Sequence, residues 1–238
     1  MKKLLNASLV LGATLFFAAH APAQKRTPRP PAPKPVATST PAPTPTVSPT
    51  PAPQPTPAPE PFAGATVERM AAQCVRLETE AGTIELKMLP EVAPETVRNF
   101  LNLVATGAYD TTTFCRIVKN FVVQGGNLST RENLTPALAE RSRRTIPDEP
   151  SQVKHVRGVV SMARPDRPDS ATTHFFILVS DASYLNGTFS AFGRVTKGMD
   201  VVDAINKVAV EGEKPLTPVR LGSATVFSCP ASPAVPAQ

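Results

Sequence analysis

Phe114-Cys115-Arg116-Ile117-Val118-Lys119-Asn120-Phe121-Val122-Val123-Gln124-Gly125-Gly126-Asn127 sets one permanent cation inside an apolar run. Phe114, Arg116 and Val118 alternate with Cys115, Ile117 and Lys119, which is the period of a short strand. Lys119-Asn120 then reads as a turn, and Phe121 to Gln124 as a second strand closed by Gly125-Gly126. Such a hairpin carries Arg116, Phe121 and Gln124 on neighbouring parts of one surface. Phe121 alone would be assigned to a core. A guanidinium in mid-strand instead demands a partner or an open cleft, which makes Arg116 the least ordinary residue of the chain.

Working outward, Cys74 to Thr79 and Thr83 to Met88 read as a half-buried hairpin about a Glu80-Ala81-Gly82 turn, with Ile84, Leu86 and Met88 on one face. Pro94 suits the first turn of a helix, where its missing N–H costs nothing. Val97, Phe100, Leu101 and Val104 then fall on one helical stripe and Gly107 ends it. Beyond the central hairpin lies a polar stretch, Ser129 to Gln152, whose Arg141, Arg143, Arg144 and Asp148-Glu149 read as solvated surface. Val159 to Ala163, His174 to Val179 and Ala191 to Thr196 supply three more strands. A second helix holds Met199, Val202 and Ile205, and Val219 to Phe227 forms the last strand. This pattern predicts a mainly β fold: a closed eight-stranded antiparallel β-barrel capped by two α-helices.

Composition divides the chain before that fold begins. Residues 1–23 have a Lys2-Lys3 start, an apolar run and small residues at Ala21 and Ala23, the pattern of a signal peptide cut after Ala23. The run is short for a membrane span, which takes about 20 apolar residues, so no stable membrane insertion is expected after cleavage. Lys25 to Phe62 holds 15 of the 28 prolines and no core-forming pattern. Residues 24–62 are therefore expected to be an extended linker, 63–230 the globular domain and 231–238 a flexible tail. Six of the 25 Lys and Arg, and one of the 19 acids, lie in residues 1–62. The rest is near neutral, which argues against a nucleic-acid-binding domain.

Other chemistries leave no trace. Beyond the leader the only histidines are His155 and His174, there is no Cys-x-x-Cys pair, and no metal or cofactor is expected. Neither a G-x-S-x-G elbow nor a phosphate-binding loop is present.

The pattern F-x-R-x-x-x-x-F-x-x-Q-G-G resembles the signature of the cyclophilins, the cyclosporin-binding peptidyl-prolyl cis-trans isomerases. Three further segments share the resemblance: Ser161-Met162-Ala163-Arg164 followed after a polar loop by Thr173-His174-Phe175-Phe176-Ile177, then Tyr184-Leu185-Asn186-Gly187, then Phe192-Gly193-Arg194-Val195. The match runs from about Cys74 to Phe227. It implies that Arg116 is the catalytic arginine, that Gln124 orients it, and that Phe121, Val122, Phe176 and Leu185 form a proline pocket. It further implies that Ala163 and Arg164 hold the peptide backbone. Four positions depart from the commonest family pattern: Val122 stands for Met, His174 for Gln, Tyr184 for Trp and Phe189 for His. His174 and Phe189 thus bear on substrate preference, and Tyr184 implies weak cyclosporin binding.

The resemblance also places the first and last strands side by side, so a Cys74–Cys229 disulfide is expected, with Cys115 left as a small buried filler. The expected activity is rotation about X–Pro bonds in exported or envelope polypeptides, without cofactor, by a monomer secreted to a bacterial periplasm. A Pro-segment-binding chaperone module with little turnover is the alternative reading of the same groove.

Overall fold

The computed structural model describes residues 60–230. The leader 1–23, nearly all of the linker and the tail 231–238 lie outside the described residues. Glu60 and Phe62, in the stretch expected to be linker, pack on the globular domain. Phe62 is buried and its N–H donates to Asn102 Oδ1 at 2.7 Å. Glu60 accepts from Arg141 Nε and Arg144 Nη2, each at 2.8 Å. Burial raises the Glu60 pKa, but the hydrogen bonds and charges of Arg144 and Arg141 outweigh it and hold the carboxyl below its ordinary value.

A short helix α1 (Val67–Ala71) leads into β1 (Gln73–Thr79), β2 (Gly82–Met88) and the long helix α2 (Pro94–Ala105). There follow β3 (Thr112–Thr113), β4 (Arg116–Val118), β5 (Val122–Gly125), the short helix α3 (Pro136–Arg141), β6 (Val159–Met162), β7 (Phe175–Leu178) and β8 (Ala191–Lys197). Helix α4 (Met199–Lys207), a small hairpin of β9 (Val210–Glu211) and β10 (Lys214–Pro215), and β11 (Arg220–Ser228) complete the chain. No helix among the described residues is long and apolar enough to cross a membrane.

Nine antiparallel strands, where the sequence reading counts eight, form one curled sheet in the order β3-β11-β1-β2-β8-β6-β7-β5-β4. The additional strand is the two-residue β3, too short to show a period. Its two edge strands are consecutive in sequence, separated only by Phe114 and Cys115. Phe114 N donates to Val219 O at 3.0 Å and Cys115 N to Gln124 O at 2.9 Å, so these two residues step across the seam. The two edges of the curled sheet are thus linked by the chain itself, and no ladder joins β3 to β4.

Inside the curl, Phe100 of α2 packs against Tyr109, Phe175 and Phe192 at centroid distances of 5.4, 5.4 and 4.8 Å. The α2 stripe Val97, Phe100, Leu101 and Val104 is buried as its spacing predicts. Its first turn is capped from far away: Glu149 accepts from Glu95 N at 2.9 Å and from Thr96 N at 2.7 Å. The polar stretch is thus less solvated than its composition suggests, and α3 lies within it. Strands β6 and β7 are buried on both faces because a second apolar cluster, with Val122, Val159, Phe176, Leu178 and Leu185, sits on the outside of the barrel. Residues of one strand alternate between the two: Val123, Val160, Phe175 and Ile177 belong to the inner core.

Cys74 and Cys229 are joined as a disulfide with their Cα atoms 4.9 Å apart. The antiparallel register of β1 and β11, which sets Cys74 opposite Phe227, brings the two ends together.

Candidate active site

Register aligns the central residues. Arg116 of β4 stands opposite Gln124 of β5, and Gln124 opposite Phe176 of β7. The outer cluster therefore forms the floor of a groove with Arg116 and Gln124 at one side. Arg116, Phe121, Val122 and Gln124 come from the central hairpin, Ala163 and Arg164 from the end of β6, Phe176 from β7, and Tyr184, Leu185 and Phe189 from the loop before β8. The turn of the hairpin is pinned by Asn206 of α4. Its amide donates to Val118 O at 2.9 Å and Val122 O at 3.2 Å, and its Oδ1 accepts from Asn120 N at 3.0 Å.

Arg116 is held from two sides. Its Nη1 donates to Gln124 Oε1 at 3.3 Å, while Nε and Nη2 donate to the two carboxylate oxygens of Glu213 at 2.6 and 3.1 Å. A guanidinium has five N–H donors, so one on Nη1 and one on Nη2 remain for a ligand. Glu213 sits at the turn of the β9–β10 hairpin, 97 residues from Arg116. Reading the sequence for strands misses this residue; the only signal is Gly212 within a charged run.

His174 is not among the residues that line this groove; it stands next to Gln124. Its Nδ1 meets Gln124 Nε2 at 3.5 Å, so the ring supports Gln124. Burial pushes its pKa down, which keeps the imidazole neutral and able to accept from the amide.

Arg164 lines the groove with its side chain turned inward. It stacks over the Phe189 ring at 5.0 Å, forms an ion pair with Asp148 at 3.0 Å without hydrogen-bond alignment, and donates from Nη1 to Pro165 O at 2.9 Å. Phe189 in turn stands edge-on to Phe176 at 6.1 Å. On the opposite rim Tyr184, 70% exposed, packs against Phe121 at 5.8 Å. Val122, Phe176 and Leu185 form a buried floor between these rims.

The loop that carries Tyr184, Leu185 and Phe189 is anchored by His155. Its backbone N–H donates to Asn186 Oδ1 at 2.7 Å, and its carbonyl accepts from Ala182 N at 2.8 Å. Ser161 Oγ donates to Ser190 O at 2.8 Å and lies 3.2 Å from His155 Nε2. Burial lowers the His155 pKa, against the opposing effect of Asn186 Oδ1, an acceptor 3.3 Å from Nδ1.

Among the described residues no cluster of His, Cys, Asp or Glu could hold a metal ion. The groove offers two fixed N–H donors beside an apolar trough. It suits a chain segment with an apolar ring to bury and a neighbouring amide to receive hydrogen bonds.

Comparison with known proteins agrees with this geometry. The family model for the cyclophilin type peptidyl-prolyl cis-trans isomerases matches residues 74–226, and the chain belongs to that family. A peptidyl-prolyl cis-trans isomerase of Streptomyces antibioticus is 38% identical over 168 residues, covering 64% of this chain and 98% of the relative. Peptidyl-prolyl cis-trans isomerase B of Escherichia coli is 37% identical over 145 residues, 57% of this chain and 85% of that protein. Among solved structures, a Cryptosporidium parvum cyclophilin type isomerase superimposes with a TM-score of 0.59 at 26% identity, covering 66% of this chain and 99% of its own. It has also been solved in the presence of the dipeptide Ala-Pro.

Proposed function

We propose that the groove binds X–Pro segments of exported or envelope polypeptides and accelerates rotation about the X–Pro bond, assisting their folding. The observation that carries this reading is Arg116, held by Gln124 beside the buried trough of Val122, Phe176 and Leu185. Amide resonance opposes the rotation with a barrier of about 18–20 kcal/mol, and no covalent bond has to break. In the twisted amide the prolyl nitrogen becomes pyramidal and accepts a hydrogen bond that the planar amide accepts poorly. A fixed guanidinium therefore favours the transition state over the ground state.

Each remaining residue has a task in this scheme. Phe121, Val122, Phe176 and Leu185 grip the proline ring, while Ala163 presents backbone to the peptide. Phe189 and Tyr184 close the ends, and Tyr184, with less ring surface than a Trp, makes cyclosporin a weak ligand. Arg164 shapes the wall through Phe189. Lowering the barrier enough to reach milliseconds takes a factor on the order of 10⁵, or about 7 kcal/mol, which the arginine and the apolar grip share.

The apolar leader, and a Cys74–Cys229 disulfide that would persist only in an oxidising compartment, support export, with a bacterial periplasm as the destination. A second reading, binding of Pro-containing segments with little turnover, rests on the same apolar trough of Val122, Phe176 and Leu185. The cis-to-trans rate of an X–Pro peptide with the purified protein and its Arg116→Ala variant separates the two. Fast turnover lost in the variant supports the isomerase; no acceleration, with peptide binding intact in both proteins, supports the binding module.

A further inference from the structure

We infer that Glu213 is a positioning residue for Arg116, and that the β9–β10 hairpin exists to present it. This rests on the isomerase reading of the groove. Glu213 engages β4 twice. Its backbone carbonyl accepts from Ile117 N at 2.8 Å, and its carboxylate takes Arg116 in a two-pronged pair. The backbone bond fixes where the carboxylate starts, so the fork has little freedom left.

The hairpin is built for that placement. Glu211 pairs with Lys214, which leaves Gly212 and Glu213 as a two-residue loop. Gly212 has φ +61° and Glu213 is not in the left-handed region, the arrangement of a turn with glycine at its first central position. A side chain at residue 212 would meet no neighbouring atom within 4 Å, so the glycine serves the backbone conformation and not packing.

Stability is a poor reason for the pair. Its side chains are 40% and 53% exposed, and exposed ion pairs contribute little to stability. Its effect on Arg116 is larger. A guanidinium tethered only by Gln124 at 3.3 Å can swing about its long stem, whereas three bonds in two directions hold it, with its two free N–H groups, in one orientation at the groove. The prolyl nitrogen accepts a hydrogen bond well only in the twisted amide, so the benefit of a fixed donor falls on the transition state and hence on kcat more than on KM.

Two readouts test this on the purified full chain with an X–Pro peptide. The first is kcat and KM for the wild type, Glu213→Ala and Glu213→Gln. The second is the ¹⁵N NMR signal of the Arg116 Nε–H and the exchange of its Nη groups by rotation about Nε–Cζ. Glu213→Ala is expected to lower kcat about tenfold with KM within twofold and to speed guanidinium rotation. Glu213→Gln, which keeps an acceptor oxygen, is expected to recover part of both. An unchanged or raised kcat in Glu213→Ala overturns the inference, as does guanidinium rotation equal to that of the wild type. A wild type without isomerase activity overturns the groove reading and not the tether, which the NMR signal reports without turnover.

Discussion

Phe175 and Phe176 are adjacent in β7 and serve opposite faces of the sheet: Phe175 packs on Phe100 and Tyr109 inside the barrel, and Phe176 floors the groove outside it. One strand thus builds both the core and the site. The two residues have the same side chain and nearly the same burial, and only the strand period tells their roles apart.

Phe175→Ala is accordingly expected to destabilise the fold by about 3–5 kcal/mol, the range for emptying a phenylalanine site in a close-packed core. Phe176→Ala opens a trough already in contact with solvent. It should cost less stability and raise KM for an X–Pro peptide severalfold. Urea unfolding alongside a peptide isomerisation assay separates the two. Equal losses of stability, with no change of KM in Phe176→Ala, would contradict the division.

Gly126 has φ +83°, and a Cβ there would lie 2.3 Å from Thr173 O. Gly126→Ala therefore meets both backbone strain and a clash with backbone that cannot turn aside. A loss of about 2 kcal/mol or more is expected, together with a displaced β5 end and weaker catalysis through Gln124. Chemical denaturation and crystallography of the variant check this, and a variant as stable as the wild type would refute it.

Acid should loosen the protein from pH 6.5 downward. Burial depresses the pKa of both His155 and His174 in the folded state, so the unfolded chain binds these protons more readily. The stability from keeping the two rings neutral is complete above the unfolded value near 6.5 and drains away as pH falls toward the folded values. Urea midpoints measured from pH 8 to pH 5 are expected to fall over that window, and less steeply in His174→Gln. A flat profile would contradict the burial of the two rings. The fall should precede the loss of carboxylate pairs such as Arg157–Asp203, whose lowered Asp203 pKa defers it to more acid conditions.

Reduction of Cys74–Cys229 releases a closure between residues 155 apart in sequence. In the chain-entropy account such a loop restricts the unfolded state by roughly 5 kcal/mol, with 2–5 kcal/mol the usual cost of losing a native bridge. The urea midpoint with and without reductant is the measurement. No shift on full reduction would mean that β1 and β11 hold the ends unaided.

Arg116, Phe121 and Gln124 could be found in the sequence because a hairpin is local: alternation and one turn set all three on the same surface. The apolar run at His174–Val179 could likewise be found as a strand. Its burial on both faces could not be anticipated, since the outer apolar cluster comes from three separate segments. Asp148 and Glu149 look like solvated acids beside prolines, yet they neutralise Arg164 and cap α2, because what a carboxylate faces depends on segments distant in the chain. The family resemblance suggested the groove's wall residues; the contact of the His174 ring with Gln124 is visible only in the structure.

By itself, then, the sequence determined the local grammar of this protein: strands, the two main helices and the residues of the central hairpin, all of which follow from periods of two and 3.6 and from turn chemistry. Tertiary structure alone decided how the sheet's two edges are linked through Phe114 and Cys115, how His155 anchors the loop of Tyr184 and Leu185, and how Glu213 grips Arg116. The physical reason is common to all three. Each depends on atoms brought within about 3 Å by packing of the whole chain, and nothing in the spacing of residues along a strand encodes which distant carboxylate or carbonyl will arrive there.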